Sequence, residues 1–390
     1  MTGILDTAPC PAPAWLPGGH LQTLYGALMA PTNRLSFVRE RVNTPDGDFI
    51  DLDWSAPGLT TQPDRGRAKD RGSAQGRQGR PPNEPPNNLP TDLPTDLPTE
   101  LPGKGAASRW ITDYDREVIA GMRDSPALVL LHGLEGNSAS RYVQSILQYF
   151  RARGWLVVLA HFRGCSGVPN RLARAYFSGD SDEVGFILRT VIERAPEANW
   201  NAVGVSLGGN ALLKYLGEHA SETPKLVTAA SICAPLDLVA AGTHLSTNWI
   251  GRHLYTRFFL RTMKPKTLEK ATRFPGAIDV TRVSRARTLR DFDDAYTAPM
   301  HGFVDAQDYW TKASSKPWLP YIQVPTLVLN ARNDPFVPEP SLPGPHEASA
   351  SVTLHQPAEG GHSGFTTGSF PGNLTWLPAR LARFFQAHSA

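Results

Sequence analysis

The sequence predicts an α/β fold: a mostly parallel mixed sheet flanked by helices, with a helical cap inserted late in the chain. Three observations predict it. From residue 127 onward, short continuous apolar runs alternate with amphipathic helical stretches, the pattern of strands buried on both faces of a parallel sheet. An apolar–polar hairpin pattern precedes them, which makes the sheet mixed. Between Leu238 and Tyr321 the alternation breaks into helical, polar sequence dotted with aromatics, an insertion long enough to cover the ligand edge of such a sheet.

The elements follow in order. An arm, residues 1–35, contains WLPGGHLQTLYGAL at 15–28. Leu21, Leu24, Tyr25 and Leu28 fall on one face of a short helix, and the leucine stripe is expected to pack on the body. A hairpin over 36–56 pairs residues 36–43 with 48–54 around Pro-Asp-Gly. Residues 57–112 hold almost no aromatic or β-branched apolar side chain, and a Leu-Pro-Thr-Asp/Glu repeat over 89–100 places proline in every unit. Such a segment buries too little to offset the entropy of ordering it. It reads as a disordered surface insertion, with a proline-motif docking site as the alternative. The core resumes over 113–237 with strands at 127–132, 155–162, 201–206 and 226–234, separated by helices. The cap spans 238–320. The core ends over 321–390, with strands at 325–332 and 351–357 and a last helix near 374–387.

Composition narrows the function. The net charge of +3 is too small for a nucleic-acid partner, which needs a concentrated basic face. Cys10, Cys165 and Cys233 are odd in number and far apart, so neither a disulfide framework nor a zinc site is expected. No apolar run reaches the roughly 18 residues of a membrane span, and the start lacks the pattern of a signal peptide. A cytoplasmic location is the expectation.

The chemistry centres on GVSLGGN, residues 204–210. A G-x-S-x-G string alone is weak, and an ordinary tight turn is its bland reading. Here it follows an apolar strand and opens a helix, where a strained turn lifts Ser206 above the sheet edge. A serine hydroxyl needs a base, and the base needs an acid to orient it. His362, in the glycine-rich EGGHSGF after the last strand, is the base; Asp334, ending the preceding strand in NARNDPFVP, is the acid. Serine, acid and histidine occur in the chain order this architecture uses. His355 lies within a strand and reads as packed, while Asp237, Asp305 and Asp308 lie at the cap entry or inside the cap. The oxyanion donors are expected to be the backbone N–H groups of Leu207, after the nucleophile, and Leu134, in HGLEG at 132–136. His132 reads as fixing that loop, and Arg163, in HFRGCSG, as bonding backbone carbonyls. Cys165 has no base near it in sequence and is not read as a nucleophile.

These strings together resemble the α/β hydrolases, and within them the YheT-like branch. WLPGGHLQTLYGAL, HGLEGNSASRYV, FRGCSG, GVSLGGNALLKYLGE, PLDL and NARNDPFVP…GGHSGF carry the resemblance across the chain outside residues 57–110. The resemblance implies the α/β-hydrolase fold and hydrolysis of acyl or acylglycerol esters with no metal or organic cofactor. It also implies Ser206, Asp334 and His362 as triad. A long insertion after the hairpin departs from the branch, away from the triad.

An acyltransferase, with an alcohol replacing water in the second step, is the alternative, and a non-catalytic binding module a third. The cap segment from Arg252 to Arg290 is rich in arginine and lysine with Trp249, Tyr255, Phe258 and Phe259 interleaved. That reads either as a solvated face or as a surface for transient contact with anionic membranes. The small-molecule partner is an acyl ester or lipid. Trp15 or His20 is a candidate wall of the acyl pocket.

Overall fold

The computed structural model describes residues 2–60, 107–220 and 225–389, so the Pro-rich stretch at 61–106 on which the insertion reading rests lies outside the described residues. The described residues form ten strands: β1 Ile4–Asp6, β2 Phe37–Asn43, β3 Phe49–Ser55, β4 Ala107–Trp110, β5 Pro126–Leu131, β6 Leu156–His161, β7 Asn199–Val205, β8 Thr228–Ile232, β9 Thr326–Leu329 and β10 Val352–His355. They make one sheet in the order β1-β10-β9-β8-β7-β5-β6-β3-β2-β4. All neighbours run parallel except at β3, which is antiparallel to both β2 and β6.

The central strand β5 is apolar throughout because both its faces are covered. Leu128 and Leu130 of β5 pack with Val143, Ile146 and Phe150 of the helix Arg141–Arg151 and with Leu381 and Phe385 of the C-terminal helix Trp376–Ala387. Their neighbours Val129 and Leu131 point the other way, into a cluster with Val184 and Leu188 of Ser181–Arg194 and Leu212 and Leu216 of Leu207–Glu218. Side chains alternate faces along a strand, so a two-sided core needs an unbroken apolar run.

Two expectations need correction, and one strand is additional. First, Ala107–Trp110 was expected within the disordered segment but forms β4, parallel to β2. Thr112 then caps the helix Asp113–Ala120 in a reciprocal capping box with Asp115. A four-residue strand carries too little pattern to be read, yet it covers an edge that would otherwise expose unpaired backbone. Second, the arm contributes β1, pinned by Asp6 to Arg380 at 3.0 Å. Third, the leucine stripe of helix α1 (Gly19–Leu28) does not pack on the body: Leu21 and Leu28 are 50% and 56% exposed, while Gln22, Thr23 and Gly26 are buried. The surface under α1 is glycine-rich backbone, which takes up polar and small side chains.

The parallel strands β10, β9, β8, β7 and β5 are consecutive neighbours. Their C-terminal ends therefore open onto one edge, where the loops bearing residues 132–136, 206, 334 and 362 meet.

Candidate active site

Ser206 stands between β7 and the helix Leu207–Glu218 with φ 54° and ψ −119°. This strained conformation is held by close backbone packing. A Cβ on Gly204 would lie 2.4 Å from the Gly208 carbonyl oxygen, and one on Gly208 would lie 2.5 Å from that of Leu131. Neither position tolerates a side chain, so the glycines on either side of the serine are steric requirements of the turn.

The structure brings the three expected residues into one hydrogen-bonded row. The Ser206 hydroxyl donates to His362 Nε2 at 3.0 Å, and His362 Nδ1–H donates to Asp334 Oδ2 at 2.8 Å. The other Asp334 oxygen accepts the Phe336 N–H at 2.8 Å. Phe336 packs edge-on against the imidazole with centroids 4.2 Å apart. The rival acids serve elsewhere: Asp237 and Asp305 cap helices, and Asp308 pairs with Lys312. His355 is packed as expected, donating from Nε2 to Ala8 O and accepting Arg380 Nε–H.

In the HGLEG loop, Gly133 N–H is taken by the Tyr142 hydroxyl and Glu135 N–H by that of Tyr176, both at 2.8 Å. Among the described residues the N–H groups of Leu134 and Leu207 have no partner, and both residues line the chamber over Ser206. His132 fixes the loop: Nδ1–H donates to Gly133 O at 2.7 Å and Nε2 accepts Phe162 N–H at 3.1 Å. Burial pushes its pKa down to about 3, which keeps the ring neutral as that pair of bonds requires.

The α1 helix supplies residues that the sequence reading missed. Thr23 Oγ1 accepts the His362 N–H at 2.8 Å. Gln22 Oε1 accepts from Asn333 Nδ2 and from Gly360 N–H, each at 3.0 Å, and Asn333 Oδ1 accepts Gly361 N–H at 3.0 Å. The acid and base loops are thus tied together through the buried face of α1. The signal was present in WLPGGHLQTLYGAL as Gln22-Thr23, but periodicity weighs only the apolar positions.

Two further expectations are corrected. Arg163 does not bond carbonyls; it forms ion pairs with Asp46, Asp48 and Glu183, because three carboxylates converge on its buried site. Trp15 and His20 are not among the residues lining the chamber. Trp15 packs on Tyr25 and Phe370, while His20 stacks on Tyr255 and meets its hydroxyl at 3.0 Å.

Cys233, Asp334 and His362 bring potential ligand atoms within 4.8 Å of one another. Burial, with the Asp334 charge beside it, pushes the Cys233 thiol well above its usual range. It remains a thiol, accepting Ser363 N–H at 3.2 Å, and does not fit a metal that requires thiolate. Cys165 is likewise raised, to about 12, by burial.

The cap roofs the site. Leu238, Leu245, Phe259, Met263, Asp293 and Trp310 close a chamber of about 130 Å³ over Ser206 and His362. A larger cavity of about 510 Å³ shares the walls Leu134 and Met263.

A parallel sheet with this strained serine turn, histidine and aspartate at its C-terminal edge defines an α/β hydrolase. Residues 126–369 match the family described as alpha/beta hydrolase fold, and the chain belongs to that family. Its similarity places it with the esterase- and lipase-type hydrolases of the YheT-like branch. It is 30% identical over 364 residues to "Putative esterase YheT" of Escherichia coli, covering 93% of this chain and 88% of that one. It is 32% identical to mouse phospholipase ABHD3 over 67% of this chain and 64% of the relative. With medium-chain fatty acid ethyl ester synthase/esterase 2 of Saccharomyces cerevisiae it shares 30% identity over 71% of this chain and 65% of that protein.

Proposed function

We propose that this protein hydrolyses carboxylic esters of short- to medium-chain acids or of lipids, through an acyl-enzyme on Ser206. The observation that carries this is the unbroken row Ser206–His362–Asp334 under a mostly apolar roof. His362 Nε2 takes the Ser206 proton as Oγ attacks the ester carbonyl carbon, and Asp334 holds the imidazole and balances its charge. The N–H groups of Leu134 and Leu207 receive the developing oxyanion, each worth roughly 3 kcal/mol of barrier. The imidazolium returns its proton to the departing alcohol. Water, deprotonated by the same ring, then attacks the acyl-enzyme and releases the carboxylic acid.

Labelling with a fluorophosphonate tests the reading. Modification of the parent protein and none of Ser206→Ala is the expected result; equal labelling of both refutes it.

Contact with a membrane surface during substrate uptake is part of the proposal. Trp249 and Phe258 are 74% and 60% exposed on the cap, near the exposed Arg252, Arg257 and Arg261. Stronger sedimentation with anionic than with neutral vesicles at low salt is expected, and equal binding argues against it. Three buried free thiols accord with a reducing, cytoplasmic location. Among the described residues no helix is long and apolar enough to cross a membrane.

A further inference from the structure

The chamber over Ser206 contains one acidic side chain that the hydrolytic scheme does not use. Its other walls include Leu134, Leu238, Leu245, Phe259, Met263 and Phe336, whereas Asp293 enters from the cap. Asp293 is the first residue of a π-helical turn, Asp293–Thr297, that follows the short helix Leu289–Phe292. Such wide turns are rare and concentrate at functional sites. Here the turn divides adjacent side chains: Phe292 lines the larger cavity and Asp293 lines the chamber.

Among the described residues the carboxylate has partners, but no cation is one of them. Trp310 Nε1–H donates to Oδ2 at 2.9 Å, and the Thr297 hydroxyl donates to the same group. Burial, with Asp294 nearby, pushes its pKa up to about 6, a cost that an asparagine would avoid while accepting from both donors. A carboxylate offers about four acceptor positions, so two neutral donors leave acceptor capacity on a carboxylate that lines the chamber. An ammonium group is a poor match, because apolar walls with a single carboxylate cannot replace its hydration. A hydroxyl, with one proton to place, fits.

We propose that Asp293 is a specificity residue whose carboxylate accepts a hydrogen bond from a hydroxyl group of the bound ester, so that hydroxylated esters are favoured over apolar esters of equal length. The proposal rests on Ser206 being the nucleophile of this chamber. Sites that must bond a substrate hydroxyl discriminate strongly against its absence, and a bond to a charged acceptor corresponds to about tenfold or more.

The test compares kcat/KM within two matched pairs, one with the hydroxyl on the alcohol half and one on the acyl half. These are glycerol monobutyrate against propyl butyrate, and ethyl 3-hydroxybutyrate against ethyl butyrate. The parent protein is expected to prefer the hydroxylated member of at least one pair. In Asp293→Leu that preference falls at least tenfold. Asp293→Asn, which still satisfies Trp310 and Thr297, loses part of it and guards against a folding defect in the leucine variant. Unchanged ratios in both variants overturn the proposal, as does butyrylcholine being the ester whose hydrolysis falls most. Fluorophosphonate labelling of the parent separates the two readings: labelling with unchanged ratios refutes the role of Asp293 alone, and no labelling refutes both.

Discussion

Replacing Thr23 by valine keeps the shape of the side chain and removes the acceptor that holds His362 from behind. Thr23 is 4% exposed, and its oxygen lies 2.8 Å from the His362 amide nitrogen and 2.7 Å from Gly19 O. An amide left unpaired in a buried setting costs about 1–3 kcal/mol. The loop has a way to recover that energy, by shifting until the His362 N–H reaches water. The shift is taken from the 3.0 Å contact between His362 Nε2 and Ser206 Oγ, and a displacement near 1 Å costs about 100-fold in rate. Thr23→Val is therefore expected to lower kcat on p-nitrophenyl butyrate by roughly 10- to 100-fold, with KM within about twofold because no chamber wall is touched. The rate of fluorophosphonate labelling should fall in parallel, while urea unfolding shows a loss of no more than about 3 kcal/mol. A folded variant whose kcat stays within about twofold of the parent would refute the claim that α1 positions the base.

The opposite face of the same helix should behave differently. Leu21→Ser and Leu28→Ser, on the exposed stripe, are expected to change unfolding free energy by less than about 0.5 kcal/mol; a loss of about 2–5 kcal/mol, as for a packed leucine, would mean the stripe is buried after all. Acid should weaken the fold through His132. The folded ring stays neutral down to about pH 3, whereas an unfolded histidine binds a proton below about 6.5. The unfolded state then holds more protons, so stability from this group is full above about pH 6.5 and falls by about 1.4 kcal/mol per pH unit below it. Denaturant titrations at pH 5 and 7 should show a smaller pH dependence for His132→Asn than for the parent, and identical slopes would contradict the assignment.

The core strands, the helix alternation and the row of serine, acid and histidine were legible because their causes are local. A strand buried on both faces is largely apolar along its length, as β5 is. The serine turn needs glycines two positions either side, since their Cβ atoms would collide with backbone. Asp334 and His362 follow the last two core strands, and parallel pairing of β9 and β10 brings those strand ends side by side.

What the sequence by itself determined, then, is the central strands of the sheet and the serine, aspartate and histidine at its C-terminal edge, because hydrophobic period and turn sterics act over a few residues. The tertiary structure alone decided the rest. Periodicity assigned α1 to the core by its leucines, but the surface beneath it is loop backbone with N–H groups to satisfy, so Gln22 and Thr23 turned inward. Arg163 found two of its three carboxylates on the hairpin, more than 100 residues away in sequence. Asp293 acquired its place over Ser206 only when the cap closed. A side chain's partner across the fold is fixed by the packing of whole elements, and no local pattern encodes it.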